Sequence, residues 1–544
     1  NGGYTLITQV IDNQIFGNPN LIHVFSAGNA NGSDCGYGAG NQWGNVTGGH
    51  KIAKNCLTVA NIMVSGVVDP TSSRGPTKDG RMKPEVSARG NNQLSTNQNN
   101  TYQVGGGTSA ASPSTAGTAA LLYQIYKEKN GGANPPSALI KACLMNTATD
   151  IGTFGPDYIH GYGIIDAYSS YKLLNEKRYQ SFEISNGEDK EIELDLPSSA
   201  LIKVMLYYTE QSSSPLTSKA LINNVDMTMS LPDGSTKLPL VLNPNPNIST
   251  LAAGAKEGIE LNNNFEQIVL VNPVSGKYKV KIKGSSVPDG KVSCYLLYDI
   301  QDQKLKLTSP QGGERYQSPE ATVIYFTSLD TINIATAKYS TDAGRTWVDI
   351  RTNPSANRVI TWTIPAGINS DSCLVEVSQG AFVDRSDYFT IAQLVPNIRV
   401  LKFCPDALEL TWDQASKDSF MVFSLGQTKM EPFKTVMTNS IQIAPSEFKT
   451  RKWFAVAGYR NGILSKRGKA ISAPDSLYKC PITLDLGIVL NTQNTNNIAL
   501  GCDEAVVFPS FKIHNRTVTN ANAFSINAEL NGKKFTTNYS TLVK

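Results

Sequence analysis

The chain has no run of eighteen apolar residues, so it carries no helical membrane span. Cysteine is scarce. Eight in 544 residues cannot build a disulfide scaffold. None stands in a Cys-x-x-Cys pair, which argues against structural zinc and against a thioredoxin-like site. An excess of one charge is missing too: 49 basic residues meet 45 acidic ones, and the net +4 is spread along the chain. Nothing there suggests a nucleic-acid partner. Charged residues of both signs reach only 17%, while Gly, Asn, Ser and Thr are abundant, a balance typical of extracellular β-rich proteins. The sequence opens on Asn1-Gly2-Gly3 with neither an initiator methionine nor a signal peptide, and the expected explanation is truncation of a longer protein.

What is present begins with residues 107–117, G-T-S-A-A-S-P-S-T-A-G. A hydroxyl is a poor nucleophile until a base takes its proton, so Ser109 must be shown at a sharp, uncluttered turn. Gly105, Gly106 and Gly107 permit that approach. Behind it, Ala110, Ala111, Ala116, Gly117, Ala119 and Ala120 predict a slim helix that can lie close to a sheet. Leu121, Leu122, Ile125 and Tyr126 continue it, and Asn130-Gly131-Gly132 ends it. Pro113 is expected near the first turn, where the early N–H groups lack helical partners, so that it costs little. Upstream, Leu21 to Phe25 read as a buried parallel strand that runs into Ser26-Ala27-Gly28-Asn29. Before it, Ile7, Val10, Ile11 and Ile15 predict one apolar side of a helix.

Together with Ser72-Ser73-Arg74-Gly75-Pro76, Asp79-Gly80-Arg81-Met82-Lys83-Pro84-Glu85 and Gly161-Tyr162-Gly163-Ile164-Ile165-Asp166-Ala167, these segments resemble, in order, the motifs of the subtilisin-like serine proteases, the subtilases or peptidase S8. The resemblance implies an α/β fold with a mostly parallel sheet flanked by helices. It places the nucleophile at Ser109 and the side-chain oxyanion donor at Asn29, with the Ser109 N–H as second donor at the start of its helix. Gly28, Gly105 and Gly106 would line the substrate site. No cofactor is required.

The same resemblance requires an aspartate and then a histidine before the asparagine loop, and neither signature appears in the 28 residues preceding Asn29. His23 reads as a core or sheet-edge residue and His50 as a loop residue. His160 and His514 follow the nucleophile in the chain. No catalytic histidine is assigned. A chain nicked in two, or a pseudoprotease, are the alternatives to truncation, and this polypeptide alone is expected to be nearly inert.

The protease-like unit is expected over residues 1–176. Cys143, with Ile140 and Leu144 on a helix after Pro135-Pro136, should be a buried free thiol. Beyond it, short alternating runs predict β-sandwiches. A jelly roll is expected over 177–302, an immunoglobulin-like module over 303–393, a fibronectin type III-like module over 394–475, and a truncated β domain over 476–544. Asp226 and Glu266 with nearby asparagines could ligate calcium, although turn and backbone hydrogen bonds are the favoured reading. Ser340 to Trp347 fit an Asp-box hairpin, and Trp347 and Trp362 are expected in the core. Cys480 and Cys502 could bridge, with pairing left open. The expected protein is a secreted or cell-surface bacterial endopeptidase acting on proteins or peptides. The alternative is a non-catalytic surface binding protein with a vestigial protease-like domain.

Overall fold

The computed structural model describes residues 2–98, 101–330, 332–350, 358–393, 397–413, 419–476, 478–479, 486–490, 511–515, 523–530 and 533–540. It forms two compact units, Asn1–Ile391 and Ala392–Lys544.

The first unit opens with helix α1 (Leu6–Gly17) and a three-stranded parallel sheet, β1 (Val24–Ser26), β2 (Leu57–Ile62) and β3 (Val86–Arg89), in the order β1-β2-β3. Val24 pairs with Leu57 and Val59 with Val86. All six residues of β2 are buried, as a central parallel strand covered on both faces requires. An antiparallel hairpin follows, β4 (Gln93–Asn97) and β5 (Thr101–Gly105). Helices α2 (Thr108–Lys129), α3 (Ser137–Asn146) and α4 (Ala167–Asn175) complete this part. Helix α2 buries Thr108, Ala111, Ser112, Thr115, Ala119 and Leu122, a stripe of mostly small residues at helical spacing. Helix α3 is buried throughout, and Cys143 is a buried free thiol within it.

Three expectations need correction. Ile7 and Val10 of α1 are exposed, and the side turned inward carries Thr8, Asp12 and Ile15. Asp12 is drawn in because it accepts hydrogen bonds from the Tyr4 hydroxyl at 2.8 Å and from the Asn55 N–H at 2.9 Å. Pro113 sits inside α2, beyond its first turn. Having no N–H, it leaves the Ser109 carbonyl, four residues earlier, without its helical donor. Trp362 is buried as expected, whereas Trp347 is only half-buried, its Nε1–H donating to the Gly344 carbonyl at 3.0 Å with Arg385 over its ring.

Past residue 176 the chain is β-rich. Two four-stranded antiparallel sheets close around one apolar core. One holds strands Tyr179–Ser185, Leu201–Tyr208, Phe265–Val271 and Lys291–Gln301, and the other holds Asp189–Leu196, Asn224–Ser230, Thr236–Lys237 and Gly276–Ser286. Burial alternates residue by residue along Asn224–Ser230, as one-sided packing dictates. The core does not stop at residue 176: Leu57, Val59, Leu139 and Leu144 share one apolar cluster with Met205, Tyr207, Phe265 and Leu297. A second pair of sheets, from Leu305 to Ala392, closes around Trp362, Phe326 and Phe389.

The second unit has its own two-sheet core around Trp412, Phe420 and Phe454. Cys404 is disulfide-bonded there. The final stretch shows two antiparallel strand pairs, Leu486–Leu490 with Phe511–Asn515 and Phe524–Leu530 with Lys533–Tyr539. Cys480 and Cys502 lie outside the described residues.

Candidate active site

The site forms where β1 and β3 end, at the carboxyl edge of the parallel sheet, the usual position for ligands in such folds. β1 runs out at Ser26, and Ala27-Gly28-Asn29 turn away from it. Gly28 holds φ +111°, which a side chain disfavours. β3 runs out at Arg89, and the next residue, Gly90, lets α2 start directly against it. A Cβ on Gly90 would lie 2.4 Å from the Gly107 carbonyl oxygen and 2.7 Å from the Ala111 nitrogen.

This approach joins the two sequence motifs. The Thr108 N–H donates to Asn29 Oδ1 at 3.1 Å, the Thr108 hydroxyl donates to the same oxygen at 2.9 Å, and that hydroxyl accepts the Gly28 N–H at 3.2 Å. Thr108 is fully buried, so the clamp is rigid. With Oδ1 held twice from the helix side, the amide has one orientation left. Its Nδ2 makes no hydrogen bond among the described residues. Ser109, the next residue, is exposed, as is Asn29. The N–H groups of Ala110 and Ala111 are taken by the Gly107 carbonyl. The arrangement presents an alcohol and an amide donor side by side at a helix N-terminus, where negative charge is favoured.

The other motifs build the floor beneath this edge. Ser73 Oγ accepts the Ala30 N–H at 3.0 Å, and the Ser73 N–H donates to the Gly28 carbonyl at 2.8 Å, so the loop carrying Asn29 is tied down on both sides. Arg81 pairs with Asp79 at 2.7 Å and donates to the Ile52 carbonyl at 2.8 Å. Glu85 receives Lys141 at 2.9 Å and the Thr58 N–H at 2.7 Å, and Lys83 lies against it as well. Gly161 and Gly163 are required by crowding: a Cβ on them would fall 2.2 Å from the Glu85 carbonyl oxygen and 2.0 Å from that of Thr149. Asp166 caps α4 through the Ser169 N–H.

Of the expected substrate-site glycines, Gly28 lies beside the clamp. Gly105 and Gly106 lie just before α2; Gly105 has open space around it, and Gly106 lies 3.4 Å, measured from an added Cβ, from the Gly90 carbonyl oxygen. The histidines are engaged elsewhere. His23 meets Gln14 at 3.2 Å, His50 packs edge-on against Phe25, and His160 pairs with Asp157 at 2.9 Å. The side chain of His514 lies outside the described residues. In the first sandwich, Glu266 accepts the Met227 N–H and Asp226 accepts from Asn224 Nδ2. Burial pushes the Glu266 carboxyl well above its ordinary range, which favours its neutral form. Sequence reasoning missed Thr108 as the clamp, although it stands inside G-T-S, and missed Lys51, whose ammonium reaches Gly28.

Residues 2–163 match the model of the subtilase family, peptidase S8. Over 255 residues the chain is 28% identical to the serine protease/ABC transporter B family protein tagA of Dictyostelium discoideum, covering 40% of this chain and 14% of that one. Over 132 residues it is 36% identical to a C5a peptidase of Streptococcus pyogenes, covering 22% of this chain and 11% of that one. The chain therefore spans a small fraction of the length of these curated relatives. The solved structure of the patellamide maturation protease PatA aligns with 30% of this chain and 54% of its own at 22% identity and a TM-score of 0.24, an overlay too partial to carry weight. The α/β region of this chain, residues 2–163, is thus similar to the subtilase family.

Proposed function

We propose that the intact protein is a serine endopeptidase. Ser109 Oγ attacks the scissile carbonyl carbon while a histidine outside residues 1–544 takes its proton. Asn29 Nδ2 and the Ser109 N–H hold the oxyanion, the amine leaves with the returned proton, and water hydrolyses the resulting ester. The single observation that carries this reading is the clamp: Asn29 Oδ1 is fixed by Thr108, its Nδ2 makes no hydrogen bond among the described residues, and both Asn29 and Ser109, the residue after Thr108, are exposed. Proteins or peptides are the substrates.

The two-sheet modules behind the α/β region are read as a jelly roll, an immunoglobulin-like module and a fibronectin type III-like module. The disulfide at Cys404 supports a secreted or cell-surface location, where such bonds persist. Turn and backbone hydrogen bonds, rather than calcium, are the reading kept for Asp226 and Glu266.

Treating the intact protein with a fluorophosphonate should leave one phosphonyl adduct on the peptide containing residues 107–117, absent in Ser109→Ala. A folded protein that takes no adduct there would overturn the reading in favour of a non-catalytic binding protein.

A further inference from the structure

Among the described residues, nothing neutralises one cation beside this site. The side chain of Lys51 is half-buried, and its ammonium makes no hydrogen bond or ion pair among the described residues. A methyl group placed on Gly28 would lie 2.8 Å from Lys51 Nζ, so the ammonium stands in the space that the missing Gly28 side chain leaves free. Gly28 is the residue immediately before Asn29. Other buried lysines of the α/β region are treated differently: Lys54 meets Glu210 and Lys141 meets Glu85. Burial lowers the Lys51 pKa, and among the described residues no carboxylate opposes that effect.

Lys51 is also held in place. The carbonyls of Gly49, Lys51 and Ile52 receive the hydroxyls of Thr8 at 2.8 Å and Thr58 at 2.6 Å and the Arg81 guanidinium at 2.8 Å, respectively. The turn that carries the ammonium is therefore fixed from α1, from β2 and from the buried Asp79–Arg81 pair. Keeping an unpaired ammonium partly out of water costs free energy, and that cost is recovered only when an anion arrives.

We propose that Lys51 selects substrates whose residue on the acyl side of the scissile bond carries a carboxylate, glutamate or aspartate. This rests on the endopeptidase reading above. The carbonyl held by Asn29 belongs to that residue, and its side chain starts one atom away from the carbonyl carbon. The side chain nearest to Asn29 in a bound substrate is thus the one that meets the gap over Gly28. A carboxylate there accepts a charge-assisted hydrogen bond from Nζ, whereas an amide of the same shape leaves the charge uncompensated.

The test uses the intact protein and two acetylated product peptides identical except for a terminal Glu or Gln, with binding read by calorimetry and cleavage of the matching longer peptides read in parallel. The Glu peptide should bind about tenfold or more tightly than the Gln peptide. Lys51→Gln should erase that ratio, Lys51→Arg should keep it, and Lys51→Glu should shift preference to a terminal Lys. Equal binding of the Glu and Gln peptides, or a ratio that survives Lys51→Gln, would overturn the assignment. Cleavage without an acidic preference sinks the role of Lys51 and leaves the endopeptidase standing. A Glu preference in binding without cleavage or adduct at Ser109 does the reverse.

Discussion

Lys54→Met should separate the α/β region energetically from the first sandwich. Lys54 Nζ donates to Glu210 Oε2 at 2.7 Å, to the Gln211 carbonyl at 2.5 Å and to the Ala220 carbonyl at 2.8 Å, with both members of the ion pair fully buried. Glu210 also accepts the N–H groups of Ile222 at 2.9 Å and Asn223 at 2.7 Å, and Asn223 Nδ2 at 2.8 Å. Methionine fills the stem of the lysine but supplies no donor. Two carbonyls lose a partner, and a carboxylate loses its counter-charge while keeping its N–H donors. Removing one partner of a buried pair costs about 3–5 kcal/mol, and the surviving donors to Glu210 put the expected loss at about 3 kcal/mol. Glu210→Gln on top of Lys54→Met should recover about half of it, because the buried negative charge is then gone. The assay is urea unfolding of the four members of this double-mutant cycle, with amide exchange of residues 57–62 and 201–208 as a local reading. A loss under about 1 kcal/mol, or strict additivity in the cycle, would show that the ammonium is solvated in solution and refute the reasoning.

Two further outcomes are expected. Thr108→Val keeps the shape of the clamp but loses the hydroxyl that holds Asn29 Oδ1; turnover in the intact protein should fall about tenfold with KM little changed, and Thr108→Ser should restore it, measured by steady-state kinetics. Unchanged turnover would remove Thr108 as a positioning residue. Burial raises the Asp150 carboxyl to about 6, with Oδ2 accepting the Gly155 N–H at 2.9 Å and Oδ1 unpartnered among the described residues. Because the folded state holds this proton more tightly than the unfolded chain, stability should fall as pH rises from about 4 to about 6 and stay reduced above that, by roughly 2–3 kcal/mol. Asp150→Asn should flatten that slope and gain stability at pH 7.5 in urea unfolding; a loss there would refute the account.

The parts of the molecule legible in the sequence are those written in short stretches. G-T-S-A-A-S-P and S-A-G-N each carry their own turn chemistry, so Ser109 and Asn29 could be singled out without knowing what joins them. The Asp-box is similar: Asp342 accepts the Thr346 N–H and hydroxyl and the Ser340 hydroxyl, and these bonds, the Thr346 hydroxyl first, hold its carboxyl down to about 2. What escaped lies in contacts that folding makes between distant segments. Thr108 finds Asn29 across 79 residues, and Lys51 reaches Gly28 only once the turn between Gly48 and Ile52 closes over it. Apolar spacing misjudged α1 because a buried Asp12 contributes nothing to a hydrophobic pattern, although it binds more partners than the isoleucines around it. Pro113 falls past the partnerless N–H groups because α2 begins at Thr108 itself, with no turn spent before the nucleophile.

Tyr207, Phe265 and Leu297 belong to the first sandwich by chain position, yet they fill the same apolar cluster as Leu57, Val59 and Leu139. Shuffling between proteins could not cut cleanly at residue 176 without stripping that shared interior on both sides. Helix α3 is the hinge of that shared interior, and a cut at residue 176 would leave its far face bare to water.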